Sequence, residues 1–278
     1  MADEAFLSRS YDAFAQVEEE YKELLDQSLS PRGPSMFYET AERLGLEPGA
    51  DVLDVGCGEG RHTLELAQRF GWRIRGIDPV QRHIDIARKD LADRAQTQPE
   101  LEDAVSFDLG RAEALPVSDA SMSLIWCRDV LVHVDALPTA FAEFRRALVP
   151  GGRALVYQMF CTDRLEPGEA AWLLPTMGCV EQNMRPDYAE AAMHAAGLQI
   201  DECHVLGTEW GQYGEEHSGK GSRNLLHAAR LLSDPDRYIQ RFGDDNYQIA
   251  LGDCLWHIYR LIGKLSDRVY VLSCPIGS

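Results

Sequence analysis

The sequence predicts an α/β fold: a mostly parallel sheet with helices on both faces. Two observations carry this. Short apolar runs alternate with helical segments from residue 51 to residue 159, and the run Val52-Leu53-Asp54-Val55 opens into three glycines spaced by two, Gly56, Gly58 and Gly60. A third observation marks an addition to the sheet. The last strand-like run, Arg268–Leu272, follows the one before it by about 60 residues, far more than a loop spans.

The elements follow in order. Residues 9–28 are rich in Glu, Lys and Leu and predict an amphipathic helix with an acidic solvated face over an apolar stripe; Ser30-Pro31-Arg32-Gly33-Pro34 breaks it. A helix over 35–46 stops at Glu47-Pro48-Gly49. Strands are then expected at 51–55, 73–77, 105–109, 122–127 and 153–159, with helices at 61–70, 80–94 and 136–148 between them. Pro150-Gly151-Gly152 predicts a tight turn feeding the fifth strand. Residues 162–182 look irregular, 184–196 helical and 198–206 extended. The stretch 207–264 begins with a Gly-rich loop, 207–221, and continues in helical patterns through Leu225, Leu226, Ala229 and Leu232, then Leu251, Leu255, Ile258 and Ile262. It predicts a helical insertion capping one end of the sheet. The organisation expected is N-terminal helices over the site (1–47), a core (48–206), the cap (207–264) and a final core strand (265–278).

Composition narrows the function. With 45% hydrophobic residues the chain is expected to be globular, and no run of 18 apolar residues predicts a membrane span. The acidic N-terminus lacks a signal or transit pattern, so a cytoplasmic location is expected. There are 27 basic and 45 acidic residues, a net charge of −18, and that field opposes nucleic acid and anionic membranes as partners. A small anion is not opposed, because a local Arg overrides the global field. Seven cysteines without a C-x-x-C pair predict reduced thiols rather than a disulfide framework or zinc site, and no metal-ligand cluster is expected. The pattern leaves open a homo-oligomer.

The glycine loop points to a ligand. It lacks the Lys-Ser or Lys-Thr of a phosphate-cradling P-loop, and its spacing differs from the G-x-G-x-x-G of dinucleotide sites. Asp54 at the strand end and Glu59 inside the loop would both repel a pyrophosphate. They suit a cation instead. Asp54-Val55-Gly56-Cys57-Gly58-Glu59-Gly60 resembles the first motif, D/E-x-G-x-G-x-G, of the class I S-adenosylmethionine (SAM)-dependent methyltransferases. The resemblance continues through Gly76-Ile77-Asp78-Pro79, through Gly110-Arg111-Ala112-Glu113-Ala114-Leu115-Pro116, and through Cys127-Arg128 to His133 and Glu143…Pro150-Gly151-Gly152. It covers residues 48–160 and implies a Rossmann-like, doubly wound sheet of seven strands, the last antiparallel.

The resemblance also implies site residues. Gly56, Gly58 and Gly60 would line the methionine part of SAM, with Asp54 and the Cys127 carbonyl facing its ammonium and Arg128 beside them. Asp78, followed by Pro79, would take both ribose hydroxyls, since a carboxylate has two acceptor oxygens for a cis-diol. Arg111 stands where the family has Asp; the Ala112 amide is left to bind an adenine ring nitrogen, and Arg111 either stacks on adenine or points outward. The expected reaction is methyl transfer to O, N or C of a small-molecule acceptor. A base is needed only for a protonated acceptor. His133 is the first choice and Glu181 the second, against plainer roles: His133 holding a backbone carbonyl, Glu181 an exposed acid. Two other functions share these residues: a SAM-binding enzyme that does not methylate, and a non-catalytic cofactor sensor.

Overall fold

The computed structural model describes residues 4–276. The outer ends of the expected N-terminal and final segments, 1–3 and 277–278, lie outside the described residues. Seven strands form one sheet in the order β3-β2-β1-β4-β5-β7-β6. They are β1 (Asp51–Val55), β2 (Arg73–Asp78), β3 (Val105–Leu109), β4 (Met122–Arg128), β5 (Leu148–Cys161), β6 (Gln199–Gly207) and β7 (Leu265–Ser273). All pairings are parallel except those of β7, which runs antiparallel to both β5 and β6. The sheet is therefore the doubly wound, Rossmann-like form expected.

Period-two alternation places side chains on alternate faces. On β4, Ile125 and Cys127 join one core cluster with Phe141 and Phe144. Leu124 and Trp126 join the other with Phe37, Leu64 and Ile84. The first cluster is covered by α7 (Leu137–Ala147) and α9 (Pro186–Ala195). The second is covered by α3 (Ser35–Arg43), α4 (Arg61–Phe70) and α5 (Gln81–Ala95). Phe37 anchors α3, its ring 4.1 Å from that of Trp126. Such a pair adds about 1 kcal/mol beyond the area it buries.

Several expectations are corrected. The helix over 9–28 divides into α1 (Glu4–Ala15) and α2 (Glu18–Asp26), and its apolar stripe is not covered: Tyr11, Phe14, Tyr21, Leu24 and Leu25 are exposed. Pro150-Gly151-Gly152 lies within β5, where Met122 pairs with Leu148 and the register shifts before Leu124 meets Arg153, so the turn is an irregularity of one long strand. Residues 162–182 contain α8 (Pro167–Thr176), which opens with a capping box between Glu166 and Glu169. A short α6 (Glu100–Ala104) precedes β3. The Gly-rich stretch after β6 is largely helix: α10 (Glu209–Ser218). With α11 (Lys220–Ser233), α12 (Pro235–Phe242) and α13 (Asp244–Leu261), it forms the insertion between β6 and β7. Among the described residues, no helix is long and apolar enough to cross a membrane.

Candidate active site

The carboxyl ends of β1, β2 and β4 meet where ligands bind in open α/β sheets. The loop after β1 is tightly built there. An added Cβ on Gly56, whose φ is +75°, would lie 2.1 Å from Val130 Cγ2. Gly60, at φ +82°, begins α4 with Phe107 and Ala87 close behind it. The backbone is held by Asp78, whose Oδ2 accepts from the Gly58 amide at 3.0 Å and whose Oδ1 accepts from the Val80 amide at 2.9 Å. His83 Nδ1 lies 3.1 Å from the same Oδ1. A carboxylate has about four acceptor positions. Three are engaged, so Asp78 has room for one ribose hydroxyl rather than two unless an internal bond yields. His83 is a participant that motif spacing did not reveal.

Asp54 is buried. Thr63 Oγ1 donates to its Oδ2 at 2.6 Å, and among the described residues no donor reaches Oδ1. Burial pushes its carboxyl up to about 7, against the Thr63 bond and the charge of Arg128. A buried carboxyl of this kind suits a ligand cation. Glu59 does not add to it: half exposed, it faces Arg82 at 3.5 Å on the outside of the loop. Of the two acids expected to repel a diphosphate, Asp54 alone bears on the site.

Beside the loop is a cavity of about 80 Å³ lined by Gly56, Pro79, Arg111, Ala112, Val130 and His133, among others. The Ala112 amide finds no acceptor among the described residues. That free donor, flanked by apolar walls, fits the edge of a purine ring. Arg111 is exposed and only loosely held, 3.7 Å from Glu113 and 3.6 Å from Asp135. Cys127 turns its side chain into the core, leaving only its backbone at the strand end. His133 is exposed, and its Nδ1–H donates to the Gly178 carbonyl at 2.9 Å. Glu181 is exposed in the short 3₁₀ turn Glu181–Met184 and lines neither this cavity nor the next.

A second cavity, of about 250 Å³, lies beyond β4. All of its lining except Pro34 and Arg128 comes from the insertion after β6. Trp210, on α10, stacks on Tyr157 with ring centroids 4.6 Å apart. The guanidinium carbons of Arg128 and Arg260 sit 5.7 and 5.1 Å from the centre of the same indole. Arg128 thus belongs to both regions, beside Asp54 on one side and in the wall of this cavity on the other. Lys220, His257 and Arg260 also line it. Burial, followed by the charge of Lys220, lowers the His257 pKa and favours a neutral ring. Sequence patterning did not single out these three. The available signal was the spacing of His257 and Arg260, three apart on one helix.

Residues 53–156 match the family described as a methyltransferase domain. They are a class I SAM-dependent methyltransferase domain. The chain has relatives on both the sequence and the structural side. It is 36% identical over 176 residues to the methyltransferase GfsG of Streptomyces halstedii, covering 63% of this chain and 62% of that one. It is 28% identical over 165 residues to a sterol 24-C-methyltransferase of Gibberella zeae, covering 58% of this chain and 42% of the relative. The chain thus spans less than two thirds of either relative. Among solved structures, the [4+2]-cyclase SpnF superimposes with a TM-score of 0.67 at 23% identity, over 87% of this chain and 81% of that one. A geranyl diphosphate methyltransferase does so with a TM-score of 0.62 at 17% identity, over 86% and 77%. At these identities the superpositions describe the fold.

Proposed function

We propose that the protein transfers a methyl group from SAM to O, N or C of a small-molecule acceptor held in the cavity between β4 and the helical insertion. The observation that carries this is the position of Arg128, which joins the Asp54 loop to a partly open cavity of about 250 Å³, near the lower end of small-molecule sites. SAM supplies an activated methyl on a good, neutral leaving group. The protein supplies position. Asp54 holds the ammonium, directly or through water; Gly56, Gly58 and Gly60 let the backbone approach; Asp78 takes a ribose hydroxyl; Ala112 binds the adenine edge, with Pro79 and Arg111 at its side. Cys127 contributes its carbonyl and Arg128 a charge beside the methionine end. The insertion walls the acceptor cavity and keeps water out, as in-line displacement requires.

Where the acceptor carries a proton, His257 is the better placed base, because it lines the acceptor cavity and burial favours its neutral form. His133, with Nδ1 committed to Gly178, serves as a wall of the adenine cavity whose free Nε2 is the alternative base. Glu181 has no such placement. We place the enzyme in the cytoplasm, acting on free metabolites rather than on nucleic acid or membranes, in keeping with its net charge of −18. The fold is shared with a cyclase, so product mass is the deciding measurement. Incubation with SAM and fractionated metabolites should give S-adenosylhomocysteine (SAH) and an acceptor heavier by about 14 Da, one CH₂. A product of unchanged mass would favour SAM-dependent chemistry without methyl transfer, and tight binding of NAD or ATP in place of SAM would remove the proposal.

A further inference from the structure

The second cavity has an electrostatic character opposite to that of the chain. Acids outnumber bases 45 to 27 overall, yet no carboxylate lines this cavity, while Arg128, Lys220 and Arg260 do. Among the described residues, neither Arg128 nor Lys220 has an acid within ion-pair distance. Arg260 is compensated: Nε donates to Asp267 Oδ2 at 2.6 Å, and Nη2 lies 2.5 Å from the same oxygen. That second approach is badly aligned, so Arg260 Nη2 is buried without a hydrogen-bond acceptor. The indole Nε1 of Trp210, a residue only 5% exposed, is also buried and without one. The wall of this cavity thus carries two cations without an acid partner, Arg128 and Lys220, and two of its residues, Trp210 and Arg260, hold buried N–H donors without acceptors behind it.

Leaving a buried donor unpaired costs roughly 1–3 kcal/mol. Such groups persist where a ligand completes them. We infer that the acceptor presents an anionic group, a carboxylate or a phosphate, to the two unpaired cations of this wall, Lys220 and Arg128, with the Trp210 indole beside them. This rests on the methyltransferase reading above and names the substrate class of its acceptor site. Asp267 lies beside Arg260 Nη2 but out of line with its N–H bonds; its oxygens accept instead from Tyr157 and from Arg260 Nε. Asp253 is 3.8 Å from His257 on a largely exposed side chain, and Asp129, exposed just past β4, acts on the charges of Arg260 and His257 without lining the cavity. A cationic acceptor is disfavoured by the same geometry. The indole that would receive it by cation–π contact is already taken by Tyr157 and two guanidiniums.

The test uses the full chain saturated with SAH, so that the cofactor's own carboxylate is already seated. Inorganic phosphate, benzoate and uncharged benzamide are titrated separately while the indole N–H resonances of ¹⁵N-Trp protein are recorded. Trp210→Phe assigns its signal. We expect that signal to move saturably with benzoate or with phosphate, the responding anion distinguishing carboxylate from phosphate, and hardly at all with benzamide. Lys220→Gln should weaken the anion about tenfold or more, the loss of one charge-assisted contact, with SAH affinity by calorimetry unchanged. No movement with either anion, equal binding of benzamide, or an unaltered anion affinity in Lys220→Gln would overturn the inference while SAH still binds. Failure to bind SAH would overturn the methyltransferase reading, and this inference with it.

Discussion

Arg128 donates to Nε2 of His62 across 2.5 Å, and this bond fixes the tautomer of the imidazole. A guanidinium can only donate, so Nε2 accepts and Nδ1 carries the hydrogen. Nδ1 meets Tyr38 Oη, and the Tyr38 hydroxyl donates in turn to Glu65 Oε2 at 2.8 Å. Burial, reinforced by Arg128, lowers the His62 pKa to about 4, so the ring is neutral near pH 7. The chain Arg128–His62–Tyr38–Glu65 holds one guanidinium between the Asp54 loop and the second cavity. Replacing His62 with Leu should free that guanidinium and weaken SAH binding about tenfold, and Tyr38→Phe should have a smaller effect in the same direction. Calorimetry checks both. The His62→Leu deficit should be constant from pH 6 to about 8, because His62 does not titrate there.

Asp54 predicts the opposite pH behaviour. Burial holds its carboxyl up to about 7, so in the unliganded protein it is largely protonated at pH 6. An ammonium ligand requires the carboxylate. Binding below about pH 7 must therefore release a proton, and SAM affinity should fall by up to about tenfold per unit of further acidification. Above that value the dependence on this group should flatten. Calorimetry in buffers of different ionisation enthalpy should detect proton release at pH 6 and much less at pH 8. Asp54→Asn should bind weakly at every pH and show no such slope.

Gly56 is constrained by both conformation and space. Alanine there would adopt φ +75° and place its Cβ 2.1 Å from Val130 Cγ2. Strain and overpacking together should cost about 2–4 kcal/mol. At Gly58, with φ +53° and nothing within 4 Å of an added Cβ, only the conformational part applies, about 1 kcal/mol. Urea denaturation should rank Gly56→Ala well below Gly58→Ala. Val130→Ala should recover part of the Gly56→Ala loss, because it removes the atoms in collision.

Asp267 is fully buried and accepts from Tyr157 at 2.7 Å and from Arg260 at 2.6 Å. Asp267→Asn would leave the Arg260 charge without its partner in a poorly hydrated site. Breaking such a pair costs about 3–5 kcal/mol. Thermal or urea unfolding should show that loss, with the acceptor cavity disturbed before the cofactor loop, since Arg260 lines the former.

The legible parts of this molecule are the local ones. β1 and α4 fall at the expected residues because a short apolar run, buried on both faces, ends in glycines and a helical run begins after them. Asp54 and Asp78 were legible because each closes a strand, and strand ends face the ligand. α8 was obscured by Pro167 and Pro175, although the former sits in its first turn, where proline is tolerated, and the Glu166/Glu169 box was a start signal. α10 was obscured by Gly211 and Gly214, which read as loop. In the fold, an added Cβ on Gly211 would lie 2.7 Å from Leu261 Cα, so that glycine permits two helices to touch. The second cavity was the least legible. Trp210, Lys220, His257 and Arg260 come from three helices, and tertiary packing alone brings them together.

The insertion leaves the sheet and returns to it at adjoining points: Gly207, where β6 ends, is paired with Asp267 near the start of β7. Both stems are thus clamped on the edge strand β6 and its neighbour β7, the nearer of them three strands from the glycine loop at β1. A segment moored in this way can be lengthened, shortened or exchanged without rethreading the nucleoside half. Change in the insertion is therefore free of the β1 loop except where Arg128 reaches both.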